Sequence, residues 1–394
     1  MRLLLFTGKG GVGKTSVAAA TALLAADAGL RTLVLSTDPA HSLADALDLP
    51  LGSDPTAVVP RLWGQQLDAA ERLEDAWGGV QAWLAQLLDW AGVDAIEAEE
   101  LAVLPGLDEI FSLADIKDHA ASGAWDVIIV DCGPTAETIR LLSLPDVLRW
   151  YMERVFPVER TVTKLIRPLL QRLSDLPVAG DDVFQAAVRF YGRLDGVRAL
   201  LTDRDVASVR LVVNPERVVL AEARRTATYL ALFGYRVDAV IANRVLPDVV
   251  TDPWFRAWKD VHAGHLAAIH DEFDPIPVLR ADLVGAELVG VDHLRSFGRH
   301  LYSAVEPTAV LHTGDLLTLA ADGDERVLDV PLPFVDRDEL EVGRSDEDLL
   351  VRVGPHRRAI CLPDSLRGRS VVSANLDGDR LRVRFGHHGQ GEVP

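Results

Sequence analysis

Eight residues near the N-terminus, Gly8-Lys-Gly-Gly-Val-Gly-Lys-Thr15, constrain this chain more than any other stretch. They satisfy the pattern G-x-x-x-x-G-K-[ST], for which chance matches in such a chain number on the order of 0.002. An apolar run, Arg2-Leu-Leu-Leu-Phe-Thr7, precedes the loop. An Ala/Leu-rich run from Thr15 to Ala28, closed by Gly29, follows it. Strand, loop and helix in that order predict a cradle for phosphate. Glycines let successive backbone N–H groups curl around one anion, and the helix points its positive end at the same place. The predicted cradle comprises Gly8, Lys9, Gly10, Gly11, Val12, Gly13, Lys14, Thr15 and Ser16. Lys14 neutralises the β- and γ-phosphate oxygens, and the Thr15 hydroxyl is a ligand for Mg²⁺.

Lysine usage sharpens this. The chain holds 5 lysines against 35 arginines, and Lys9 and Lys14 share the one loop. A compact ammonium fits between phosphate oxygens where a planar guanidinium does not. The rest of the composition narrows the class. At 394 residues and 48% hydrophobic content the chain has ample material for a core, and too much apolar surface to stay disordered. A net charge of −19 opposes binding to nucleic acid or anionic lipid. Two cysteines, Cys132 and Cys361, make a disulfide framework or a Cys-rich zinc site improbable. No apolar run reaches the 18 or so residues of a membrane span. Met1-Arg2 leads straight into the first strand, which predicts no signal peptide and a cytoplasmic location.

Further buried-strand candidates are Thr32–Ser36, Asp126–Asp131, Val209–Asn214 and Val237–Asn243, with helical stretches at Val218–Phe233 and Trp254–Ile269. Strands alternating with helices predict an α/β fold, a doubly wound and mostly parallel sheet. Two segments, about 60–123 and 144–207, show apolar residues at helical spacing and little strand pattern, and are read as helical insertions. The expected sheet domain covers 1–304 and a connector 305–323. Beyond it, Leu381, Val383 and Phe385 alternate with Arg380, Arg382 and Arg384, the period of a half-exposed strand. Asp377-Gly378 before them is a hairpin turn signal. A small all-β domain over 324–388 follows, with a tail at 389–394.

Two acids stand where strands end. Asp38 follows the second strand in Ser36-Thr-Asp-Pro-Ala-His41, in the crevice beside the loop. There it can orient a water for in-line attack on a γ-phosphate, or it can be a turn residue before Pro39. His41 is either a structural hydrogen-bonder or part of a switch loop. Asp131 ends the run Val127–Val130, the position of an acid that holds Mg²⁺, usually through water. The Gly133-Pro134-Thr135 loop after it is placed to sense the γ-phosphate.

A lysine directly after the first glycine, here Lys9, resembles the deviant phosphate loop of MinD, nitrogenase iron protein and the arsenite-pump ATPase. That resemblance implies a homodimer in which Lys9 reaches the partner's nucleotide. Together, the phosphate loop, Ser36–Ala46 and Val130–Pro145 look like the arsenite-pump ATPase family, which also contains the ATPase that targets tail-anchored membrane proteins. The resemblance covers Met1 to about Tyr302. It implies hydrolysis of ATP with Asp38 as the water-orienting acid, Asp131 as a switch aspartate and Asn243 as the residue recognising adenine. An amide suits that task, because it both donates and accepts. Pro277–Asp282 is similar to the loop that closes over the base. Leu349–Pro363 with Val371–Phe385 resembles the α-crystallin-like domain found on some members.

Some positions depart from the family. No C-x-x-C exists, so no zinc is expected. The arsenite enzyme's three thiols have no counterpart, and its two fused ATPase units are one here. Glu137 stands where the family commonly has a histidine. Only Met1 and Met152 are methionine, whereas adaptable client grooves favour that residue. The expected activity is therefore Mg²⁺-dependent ATP hydrolysis in a homodimer, opening and closing a helical region that binds an apolar protein client. The alternatives are a metalloid-pump subunit and a MinD/ParA-like positioning switch.

Overall fold

The N-terminal apolar run becomes an interior strand of an eight-stranded sheet. The computed structural model describes residues 1–38, 42–66, 107–135, 138–139, 142–143, 192, 194, 196–314, 317–345 and 348–387. Strand β1 (Arg2–Thr7) is buried along its whole length, as a strand covered on both faces must be. The sheet continues with β2 (Thr32–Ser36), β3 (Thr56–Val59), β4 (Leu62–Gln66), β5 (Val127–Asp131), β6 (Ala207–Val213), β7 (Val237–Val245) and β8 (Val278–Asp282). Their spatial order is β3-β4-β2-β5-β1-β6-β7-β8. Every neighbouring pair is parallel except β3 with β4. Parallel pairing puts the C-terminal ends of β1, β2, β5, β6 and β7 along one edge, which is where an open α/β sheet binds ligands.

Helices α1 (Lys14–Asp27), α2 (Ser42–Leu47), α3 (Leu107–Ala121), α4 (Val197–Thr202), α5 (Arg217–Phe233), α6 (Arg256–Phe273) and α7 (Val291–Leu301) accompany this sheet. Helix α1 is made of small residues for a packing reason. Its Ala18, Ala19, Ala20 and Ala22 are fully buried. Gly298 of α7 comes so close that a Cβ there would lie 3.1 Å from the Ala20 carbonyl.

The C-terminal region forms a four-stranded antiparallel sheet, order β14-β15-β10-β9, and a three-stranded one, β11-β12-β13. The strands are β9 (Thr318–Asp322), β10 (Glu325–Pro331), β11 (Leu340–Ser345), β12 (Asp348–Val353), β13 (His356–Cys361), β14 (Arg369–Asp377) and β15 (Arg380–His387), with a one-turn helix α8 (Asp364–Arg367). Leu381, Val383 and Phe385 are fully buried, as are Leu349 and Val351, so the period-two reading holds. Asp377-Gly378 makes the β14–β15 turn, with Gly378 at φ 57°.

This second core also draws in a residue of the α/β half. Leu232, near the end of α5, is fully buried among Leu328, Val351, Val353 and Leu381. Arg358 donates to the Leu232 carbonyl at 2.5 Å, satisfying an acceptor that a helix end otherwise leaves open. Thr228 donates to the Pro333 carbonyl at 2.5 Å. The Tyr229 and His356 rings lie 4.2 Å apart. A second attachment holds the connector. Arg210 donates to the Pro307 and Ala309 carbonyls at 2.7 and 3.1 Å, and Arg2 donates to that of Thr308 at 3.1 Å. Both guanidiniums share the fully buried Asp238 carboxylate, at 2.9 Å from Arg2 and 3.3 Å from Arg210.

Two sequence expectations shift. Strand β4 lies inside the span read as the first helical insertion. Its pattern is disguised because Gln65 and Gln66 are buried where apolar residues would be expected. Their amides donate to the carbonyls of Ser53 and Asp38, at 2.7 and 2.8 Å. Strand β9 falls within the expected connector, and as a mostly exposed edge strand it carries no apolar alternation. The remainder of the insertions, 67–106 and 144–191, together with His41 and Glu137, lies outside the described residues. Among the described residues, no helix is long and apolar enough to cross a membrane.

Candidate active site

The phosphate loop leaves β1 and turns into α1 through two glycines that nothing larger can replace. A Cβ on Gly8 would stand 2.2 Å from the Val212 carbonyl oxygen. Gly13 has φ 91°, and its Cβ would lie 2.4 Å from Asn243 Nδ2. Lys14 is almost fully buried, and its ammonium donates to the Lys9 carbonyl at 3.2 Å. It crosses the mouth of its own loop, in position for a phosphate that would take over that hydrogen bond. Lys9 itself is half-buried at the rim.

The register sets the acids beside this loop. Asp131 is level with Phe6 on β1 and with Ser36 on β2. The Asp131 carboxylate is fully buried, and among the described residues neither oxygen has a hydrogen-bond partner of good geometry, the Thr15 and Ser36 hydroxyls being near neighbours only. Burial pushes its pKa up to about 7, with partial relief from the neighbouring Thr15 hydroxyl and Lys14 ammonium. An orphaned, dehydrated carboxylate is costly, and a hard divalent cation bound through oxygen would remove that cost. The residues present therefore fit Mg²⁺: Asp131 would supply the acid and Thr15 the hydroxyl. Among the described residues no cluster of three or more His, Cys, Asp or Glu forms another metal site.

The loops after β2 and β5 are joined to each other and to the phosphate loop. Thr15 and Ser42, the first residue of α2, are 3.2 Å apart through their hydroxyls. The Gly133 N–H donates to Thr37 Oγ1 at 3.3 Å. The backbone of Asp38 is held on both sides: its N–H donates to Ser36 Oγ at 3.2 Å, and its carbonyl accepts from Gln66. Cys132, next to Asp131, is fully buried in this wall, and burial raises its thiol to about 12.

On the other side of β1, Asn243 donates from Nδ2 to the Val12 carbonyl at 2.8 Å. Its amide thus shapes the phosphate loop, a task the sequence does not signal. An amide carries two N–H donors and a carbonyl, so this bond leaves capacity toward a base. The chain leaving β8 is tied to β7 by the Leu283 N–H on the Val245 carbonyl, and it ends at α2 by the Gly290 N–H on that of Ala46, each at 2.8 Å. Between this strap and α7 lies a cavity of about 500 Å³, lined by Arg280, Asp282, Leu288, His293 and Phe297 among others. Sequence reading also missed Asn214 at the end of β6, whose buried Oδ1 has no hydrogen-bond partner among the described residues. A lone polar residue after an apolar strand was the only signal for it.

A family model described as anion-transporting ATPase matches residues 1–303. The chain belongs to the anion-transporting ATPase family. A second model, an HSP20-like domain found with this ATPase, matches residues 323–385. A protein of Aquifex aeolicus provisionally named arsenical pump-driving ATPase 1 is 35% identical over 393 residues, covering 97% of this chain and 99% of the relative. A similarly named protein of Chlorobaculum tepidum is 35% identical, over 100% of this chain and 98% of its own length. The ATPase ASNA1 homolog of Trypanosoma cruzi is 29% identical over 75% of this chain and 89% of its own length. Membership in this family makes the chain an ATPase whose catalytic half carries an HSP20-like β-domain.

Proposed function

We propose that the chain is a homodimeric, Mg²⁺-dependent ATPase that couples its nucleotide state to binding of an apolar protein client. The observation that carries the hydrolytic part is the orphaned Asp131 carboxylate between the phosphate loop and the loop bearing Asp38. Lys14, the loop amides and Lys9 hold phosphate oxygens. Bound Mg²⁺ supplies charge neutralisation at the β- and γ-phosphates. Asp38 orients the attacking water and accepts its proton, while Gln66 and Ser36 fix its backbone. Loss of the γ-phosphate is relayed through Thr15–Ser42 and Thr37–Gly133 to the loops that lead toward 67–106 and 144–191.

The dimer draws support from an exposed apolar surface at the same edge of the sheet. Val249, Trp254 and Trp258 are 83, 71 and 49% exposed, and Val261 continues the stripe. Trp258 and Val261 are on α6, i and i+3, and Trp254 is on the 3-10 turn that leads into it. Of all the residues of α6, only Ile269 and Phe273 are buried. Arg256, Asp252 and Asp260 are exposed on the same segment. A two-fold contact needs a self-complementary patch, and an apolar stripe flanked by both signs meets that need in a chain that is otherwise strongly acidic. The double variant Trp254→Asp/Trp258→Asp is expected to sediment as a monomer under Mg²⁺ and a non-hydrolysable ATP analogue that dimerise the wild type. A zinc chelator is expected to leave the wild-type dimer intact. A dimer in the double variant would remove this surface from the interface, and a wild type monomeric under every condition would end the dimer reading.

The second reading, a metalloid-pump subunit, takes its support from the names of the relatives. Thiol placement opposes it. Cys132 is buried at the end of β5 and Cys361 is exposed on β13, whereas trivalent arsenic needs several thiolates converging on one point. ATPase rate is expected to stay flat with added arsenite, in wild type and in Cys361→Ser alike. Saturable stimulation in the wild type that disappears in the variant would restore the pump reading.

A further inference from the structure

Arg244 has no place in the reading so far, and its geometry is abnormal. Its backbone sits at φ 56°, a left-handed conformation that costs a non-glycine residue about 1 kcal/mol or more. Such strain gathers at functional sites. The β7–β8 register breaks between Ala242 and Val245, so Asn243 and Arg244 form an irregular step. On a regular strand, consecutive side chains point to opposite faces. Here both reach the same turn: Asn243 Nδ2 and Arg244 Nε lie 2.4 and 4.0 Å from the Cβ position of Gly13. Bulges next to active sites re-aim side chains in this way. The Arg244 side chain is exposed, and it forms no hydrogen bond or ion pair with a described residue.

The strand order says which part of a nucleotide it meets. Asp131 and Asp38 come from β5 and β2, on one side of β1, and mark the γ-phosphate end. Asn243 and Arg244 come from β7, on the other side, next to the strap that runs from Leu283 to Gly290. A nucleotide with its phosphates in the loop must carry its base toward them. We propose that Arg244 is a nucleotide-binding residue whose guanidinium lies against the purine face, closing the base side of the site. This rests on the reading of residues 8–15 as the ATP phosphate site.

A guanidinium stacked on a purine is sequence-tolerant, unlike the edge-reading amide of Asn243. Arg244→Ala is therefore expected to weaken ATP and GTP by the same factor, about tenfold in Kd by titration calorimetry, and to leave inorganic tripolyphosphate unchanged. Arg244→Gly serves as the folding control. Glycine accepts φ 56° without strain, so this variant is expected to melt no lower than wild type and still lose the same nucleotide affinity. Wild-type ATP affinity in both variants would overturn the proposal. Equal weakening of tripolyphosphate would place Arg244 on the phosphates and overturn the base assignment. A wild type that binds neither ATP nor tripolyphosphate would end the phosphate-loop reading itself, an outcome distinct from the other two.

Discussion

Asp38→Asn is expected to keep ATP affinity within about twofold of wild type and to slow single-turnover hydrolysis by about 10²- to 10⁴-fold, the usual worth of a general base. The backbone of residue 38 is fixed independently of its side chain, by Gln66 on the carbonyl and Ser36 on the N–H. Asparagine therefore keeps the loop in place. What changes is charge: the amide can still hydrogen-bond a water, but it cannot take its proton. Calorimetric ATP binding and rapid-quench hydrolysis, run on the same preparation, separate the two effects. Turnover near wild type would remove Asp38 from the chemistry. A parallel loss of binding would move it onto the nucleotide.

Leu232→Ala is expected to destabilise the chain by about 2–5 kcal/mol, the range for a buried leucine whose site cannot collapse. The residue is on a helix of the ATPase half, yet its side chain is fully buried in the β-domain core. Its carbonyl is held by Arg358, which limits how far the helix end can relax into the cavity. The effect therefore reaches both halves. Differential scanning calorimetry should show the wild type melting in one transition and the variant melting at lower temperature, still in one transition. A variant in which only the ATPase transition moves would show that the shared core does not couple the halves.

Much of this was legible from residue order. Strand β1, the phosphate loop and α1 carry mutually consistent signals: an apolar run, glycines at the turn, then small helix formers. Asp38 and Asp131 are legible because parallel strands bring their C-terminal ends to one edge. Strand β4 was not legible. Its buried glutamines satisfy themselves through tertiary hydrogen bonds that no local pattern announces. Asn243 was assigned to the base, and its bond to the Val12 carbonyl could not be foreseen, because it joins residues 231 apart. Arg244 was missed for a similar reason: a bulge is a property of pairing with β8, and nothing in Ile241-Ala-Asn-Arg-Val245 marks it. Leu232 looked like an ordinary core position of an amphipathic helix, and only the fold shows which core it fills.

The attachments of the β-domain divide the sheet mechanically. The Arg2–Asp238–Arg210 knot grips the connector at β1, β6 and β7, and Arg358, Thr228 and Leu232 fasten the domain to α5. None of these attachments involves β2 or β5, the strands whose ends carry the two acids. The attachments fall on one half of the sheet, the half whose β7 carries Asn243 and Arg244. The other half, with β2 and β5, takes no part in them. The phosphate loop springs from β1, on the line between them. The HSP20-like domain is thus fastened to the side of the sheet that carries Asn243, and not to the side that carries Asp38 and Asp131.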